Sequence, residues 1–177
     1  MKYLKMRNFA MNKSLPIMRV IKDEYFKLIK DAGFDHVRIP IHHYKEIMQE
    51  PEKHKERFLK LWEQIADHYK NYPESLWFEL LNEPCFNLKS NLWNQYLKEA
   101  IKVIRKTNPT RKIIVGPTEW NHVYKLSELE ISLDDKNLIV TFHYYNPFNF
   151  TRQGAKWVNP TPPVGVKWMG TDNEKKQ

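Results

Sequence analysis

The sequence predicts an α/β fold in which parallel strands are covered by helices, and three observations carry that prediction. Short apolar runs at residues 76–81, 112–117 and 138–145 have the length and composition of buried strands. Between them lie longer segments whose apolar residues recur every three or four positions, the period of a helix with one buried face. The two patterns alternate along the chain, which is the signature of strand-helix-strand units and a parallel sheet. No Gly-rich phosphate loop follows any of these runs, which argues against a nucleotide-binding layout. The sheet is therefore either an open layered one or part of a barrel.

Taken in order, residues 20–32 place Tyr25, Phe26, Ile29 and Ala32 on one helical face, and Gly33 stands where such a helix is capped. Residues 34–43 follow as a first strand, with Val37, Ile39 and Ile41 alternating against Arg38 and Pro40, and the ladder is expected to loosen at Pro40 because proline has no N–H to donate. Pro51 opens a long helix that repeats Phe58, Trp62, Ile65 and Tyr69 on one face and ends at Tyr72 and Pro73. Residues 76–81 form the second strand. A helix from about 91 to 106 turns Leu92, Tyr96, Leu97, Ala100, Ile101 and Ile104 inward, and residues 112–117 form the third strand. A weaker helical segment at 122–129 leads to the fourth strand at 138–145, after which the chain is aromatic and Pro-rich.

The chain has 177 residues, enough for one domain with a real core and too few for two ordinary ones. A single domain spanning 1–177 is expected, with 1–18 and 159–177 irregular. Hydrophobic residues make up 41% and aromatics 14%, which excludes disorder over most of the length. The formal charge is +8, yet Lys and Glu are interspersed along helical faces, as in residues 50–57, so the excess reads as a solvated surface. A nucleic-acid partner is not expected, nor is a membrane, because no apolar stretch is long enough for a signal core or a span. Cys85 is the single cysteine, so the chain forms no internal disulfide. His42, His43 and Glu46 are close in sequence, but adjacent side chains on a strand point to opposite faces, so no metal site is expected.

Ligands of parallel sheets bind at the carboxyl ends of the strands, and here those ends are rich in chemistry. They carry Arg38, His42 and His43 on the first strand, Asn82 and Glu83 on the second, Glu119 and Trp120 after the third, and His143 and Tyr145 on the fourth. Glu83 stands out because it sits between an apolar run and Pro84, where side chains leave the core. An isolated glutamate there is ordinarily a solvated loop residue, and a lone histidine ordinarily caps backbone. Their convergence on one end of one sheet favours a site.

Several motifs resemble glycoside hydrolase family 5, in particular the bacterial endoglucanases that act on β-1,4-glucans and often on β-mannans. They are Ala32-Gly33-Phe34-Asp35-His36-Val37-Arg38-Ile39-Pro40-Ile41, His42-His43-Tyr44, Leu80-Leu81-Asn82-Glu83-Pro84 and Phe142-His143-Tyr144-Tyr145-Asn146-Pro147-Phe148, extended by residues 151–158. The resemblance implies a (β/α)8 barrel in which Glu83 is the general acid/base that protonates the glycosidic oxygen and Asn82 binds the sugar 2-hydroxyl. It also implies a cleft lined by Arg38, His42, His43, His143 and Tyr145, with Trp120 and Trp157 as stacking platforms for sugar rings. The implied ligand is a β-glucan or β-mannan oligosaccharide, and no cofactor is needed.

The departures from the pattern shape the expectation. About 250 residues make a full barrel, so this chain reads as a partial one with about four parallel strands and their covering helices. The comparison implies that the first strand, one unit of about thirty to forty residues between Ile41 and His42, and the C-terminal strands with the nucleophilic glutamate are missing. Retaining glycosidases need two carboxylates about 5–5.5 Å apart. Three alternatives stay open: a dimer in which two half-barrels close into one, a second carboxylate supplied by Glu119, or a cleft that binds sugar or is inert without turnover. Cys85-Phe86 stands where relatives tend to have His-Gly, and Arg152 where a His is common.

Overall fold

The computed structural model describes residues 23–39 and 45–168. His42 and His43, the irregular start expected over 1–18 and the end of the irregular tail from 169 on lie outside them. The chain divides into two compact units between Ile41 and His42.

In the first unit, α1 (Asp23–Asp31) closes on Gly33, whose φ is +86°, a backbone region that costs glycine nothing. The Phe34 N–H donates to the Ile29 carbonyl at 3.1 Å and the Gly33 N–H to that of Lys30 at 2.9 Å, the paired bonds that terminate a helix on a left-handed residue. Residues 34–39 then carry no ladder, so the strand expected over 34–43 is not formed across its described part. Phe34 and Val37 remain exposed, which removes the burial that would have favoured pairing.

The second unit runs α2 (Lys45–Gln49), α3 (Pro51–Tyr69), β1 (Phe78–Glu79), α4 (Ser90–Arg105), β2 (Ile113–Val115) and β3 (Leu138–Val140). Pro51 starts α3, where its missing N–H has no intrahelical acceptor to lose, and Phe58, Trp62, Ile65, Ala66 and Tyr69 form its buried stripe. The stripe of α4 is Trp93, Tyr96, Leu97, Ala100 and Ile104. Trp93 was not among the expected inward residues, and Leu92 is only partly covered. Phe58 meets Trp93 at 6.3 Å and Trp62 meets Phe78 at 5.7 Å between ring centroids. Burying each such side chain contributes about 1.5–3 kcal/mol.

The three strands pair in parallel in the order β1-β2-β3, with Phe78 opposite Ile113 and Ile113 opposite Leu138. Their ladders are shorter than the apolar runs that predict them. Leu80 N–H still donates to Ile114 O and Thr141 N–H to Val115 O, and beyond that only a single parallel bridge joins His122 to His143. The strands therefore open out at their carboxyl ends.

Both helices tie into those ends. The Trp62 indole N–H donates to Leu80 O at 3.2 Å and that of Trp93 to Gly116 O at 2.9 Å, so two carbonyls released from the ladder are satisfied by side chains. At the opposite end of the sheet, the buried Arg111 guanidinium gathers the carbonyls of Tyr69, Tyr72, Pro73 and Leu76. Burial holds its pKa below the usual arginine value, against a smaller opposing pull from Glu74. Arg105 binds Asp135 through two bonds of 2.7 and 3.1 Å, which pins the approach to β3 onto the end of α4. Among the described residues no helix is long and apolar enough to cross a membrane.

Candidate functional site

The site is built on two loops at the carboxyl ends of the sheet, and both are made of backbone that L-residues rarely adopt. After β1, Glu83 has φ +53° and Phe86 has φ +58°; after β2, Glu119, Trp120 and Asn121 have φ +53°, +60° and +57°. These are the non-glycine residues with positive φ among the described residues, and each costs of order 1 kcal/mol or more. The concentration of strain at one end of one sheet is the mark of a place where side-chain direction matters more than local comfort.

The first loop lifts Glu83 out of the core while Pro84 and Cys85 stay buried beneath it. Glu83 Oε1 lies 2.6 Å from His143 Nδ1, with the two side chains 28% and 19% exposed. The bond is therefore half-shielded from water, reachable by a ligand yet stronger than a solvated pair would be. When the carboxylate is ionised it can only accept, so Nδ1 donates the proton of this bond. His143 meets Tyr145 edge-on at 6.1 Å, and the Arg152 guanidinium lies 3.9 Å over the Tyr145 ring.

The second loop crosses from α4 toward the first. Ser90 holds Thr118 at 2.7 Å and Glu128 at 2.6 Å, and Asn94 clasps the backbone of Glu128 and Glu130. Trp120 N–H donates to Pro84 O at 3.2 Å and its indole, 48% exposed, stands edge-on to Phe86 at 5.8 Å. Glu119 makes a long, exposed contact with Lys89 at 3.5 Å. Below the loop, the Cys85 thiol is pushed up to about 11, first by burial and then by the carboxylates of Glu83 and Glu119, with Lys89 opposing. Its Sγ lies 3.4 Å from Met48 Sδ, so it is a core residue.

The structure thus gathers Glu83, His143, Tyr145 and Trp120, with Asn82 preceding the acid on the same loop. Trp157 stands 78% exposed, three residues beyond the turn that holds Arg152. Arg38 belongs to the first unit, where its side chain is exposed, and His42 and His43 lie outside the described residues. Reasoning from sequence missed Asn121, which is fully buried against Gly116 and accepts the His143 N–H at 2.7 Å on its backbone oxygen. An Asn two residues after a strand-end Glu was the available signal, since Asn tolerates left-handed backbone. Arg152 was noticed as a substitution, but its stacking on Tyr145 was not foreseen. Among the described residues no group of three His, Cys, Asp or Glu is placed to hold a metal ion.

With this geometry established, comparison with known proteins is direct. The family model for cellulase (glycosyl hydrolase family 5) matches residues 41–175. Endoglucanase H of Acetivibrio thermocellus is 44% identical over 116 residues, which is 66% of this chain and 12% of that protein. Endoglucanase C of the same organism is 29% identical over 77% of this chain and 54% of its own length. Among solved structures, the endoglucanase Cel5A of Thermotoga maritima superposes with a TM-score of 0.83 at 45% identity, over 89% of this chain and 64% of that one. That enzyme has also been solved with mannotriose and with cellobiose. The cellulose synthase subunit Z of Clostridioides difficile superposes with a TM-score of 0.84 at 39% identity, over 94% of this chain and 68% of that one. The chain thus spans from about an eighth to about half the length of these two curated relatives.

Proposed function

Because the chain belongs to glycoside hydrolase family 5 and has the partial (β/α) barrel fold of its endoglucanases, we propose that Glu83 is the general acid/base of a β-1,4-glucan endoglucanase-type cleft. The observation that carries this reading is the 2.6 Å bond between Glu83 and His143 at the carboxyl end of a parallel sheet. A general acid must meet the leaving oxygen in one orientation, and His143 holds one carboxyl oxygen, leaving the other to serve the ligand in this reading. Protonated Glu83 gives its proton to the glycosidic oxygen as the C–O bond breaks and a second carboxylate bonds the anomeric carbon; as carboxylate it then takes a proton from the water that displaces that second carboxylate. The second carboxylate of the pair is sought in Glu119, on the loop bonded to Pro84, or in a second copy of the chain.

Around the acid, Asn82 binds the sugar 2-hydroxyl, and Tyr145 and His143 line the cleft. Trp120 and Trp157 offer apolar ring faces to glucose or mannose units, whose C–H faces suit indole. The ligand class is a β-glucan or β-mannan oligosaccharide, the class represented by the two sugars bound to the Thermotoga enzyme. Self-association belongs to the same reading: the sheet order leaves β1 and β3 at its edges, and closure with a second copy removes open edges.

The test is hydrolysis of cello- and manno-oligosaccharides by the intact protein and by Glu83→Gln, alongside calorimetric titration with the same sugars. The isosteric amide keeps the shape and cannot donate the proton, so kcat is expected to fall by about 10²–10⁴ with binding retained. Equal turnover by the variant overturns the role of Glu83. Binding without turnover by the unaltered chain turns the site into a carbohydrate-binding cleft.

A further inference from the structure

We infer that Asn121 is a positioning residue that sets the Glu83–His143 geometry through the turn 118–121, an inference that rests on Glu83 being the acid/base. By its backbone the turn touches His143 and the residue that follows Glu83. Trp120 N–H donates to Pro84 O, the residue after Glu83, and the next residue, Asn121, accepts the His143 N–H. Two peptide units of one turn, with a single unit between them, therefore hold the acid's loop and the histidine's strand end at a fixed separation.

What keeps the turn in place is the Asn121 side chain. Three consecutive residues stand in the left-handed region, a conformation that must be over-determined by its surroundings to persist. Glu119 and Trp120 are partly exposed and supply little of that determination, whereas Asn121 is 0% exposed. Its amide fills the space over Gly116, the residue that follows β2. A Cβ at Gly116 would come within 2.6 Å of Asn121 Oδ1 and 2.7 Å of its Cγ, closer than real methyl contacts allow. Among the described residues neither amide atom has a hydrogen-bond partner, so the side chain contributes shape at that spot rather than bonding.

The same turn bears the Trp120 indole, edge-on to Phe86.

The contact can be loosened from either side and then repaired. Asn121→Gly keeps the backbone freedom but empties the space over Gly116; Gly116→Ala pushes a methyl into the amide; the double variant puts the methyl into the emptied space. Two readouts are taken well below the Tm of each variant: kcat and KM on cello-oligosaccharides, and the ¹⁵N-coupled Nδ1–H resonance of His143 in the ligand-free protein. Both single variants are expected to lower kcat about tenfold or more with a smaller change in KM, and to broaden the His143 resonance. The double variant is expected to recover both. Single variants that fold and keep the resonance and kcat of the starting protein overturn the inference, as does a double variant no better than the worse single one. The resonance is read without substrate, so it reports on the positioning even if Glu83→Gln shows that the acid lies elsewhere.

Discussion

Glu83 shows how a residue type and its backbone combine to aim a side chain. A glutamate in the left-handed region is locally unfavourable, and Pro84 behind it is fully buried, so the chain spends conformational energy to aim one carboxylate at His143. Phe86 carries the same cost, and its ring gains an edge-on contact with Trp120 in return. Beneath them, Cys85 gives a prediction with a definite pH sign. Its folded pKa of about 11 lies above the value of a free thiol, about 8.5, so the neutral thiol's contribution to stability is full below pH 8.5. That contribution is lost as pH rises from 8.5 toward 11, because the thiol of the unfolded chain ionises over that range while the buried one stays neutral. Chemical denaturation between pH 8 and 11 should show stability falling for the parent and falling less for Cys85→Ala, and iodoacetamide should label the native protein slowly at pH 8. Rapid labelling at pH 8 under native conditions would contradict the burial.

At the level of elements, the two long helices were legible because a 3.6-residue stripe survives in any packing that has an apolar side. Pro51 and the Phe58, Trp62, Ile65, Tyr69 series lie where the pattern puts them. The strands were legible as runs but not as ladders: pairing covers two or three residues of each, and the fourth run gives way after Val140 to loop backbone. Trp93 was missed because a stripe specifies a direction only to within a residue, and tertiary contact with Phe58 chose Trp93 over Leu92. Arg111 is the element-scale tie that no pattern announced. Its planar guanidinium binds four carbonyls from the end of α3 and the turn beyond it, a geometry that a lysine point charge does not reproduce. Arg111→Met is expected to cost about 2–3 kcal/mol in urea denaturation, with Arg111→Lys recovering only a minor part. A loss below about 0.5 kcal/mol would mean that water serves those carbonyls equally well.

For the whole molecule, the second unit carries the sheet, its helices and the acid-histidine pair, whereas Arg38 sits in the first. The parallel sheet leaves β1 and β3 as edges, and apolar side chains such as Val140, Phe142 and Tyr144 are exposed on the run that includes β3. Sedimentation velocity across a hundredfold concentration range is expected to show a dimer that strengthens with concentration; a monomer throughout would remove the shared-barrel route to a second carboxylate. The sequence by itself determined the α/β class, the family, the helical stripes and the glutamate at a strand end, because periodicity, proline and short motifs act through local geometry. Only the tertiary structure decided that His143, sixty residues away in sequence, faces Glu83, that Arg152 lies on Tyr145, and that Asn121 fills the space over Gly116. Those contacts join different strand ends, and their distances are fixed by parallel pairing and by three left-handed residues, of which Glu119 and Trp120 have no local propensity for that conformation.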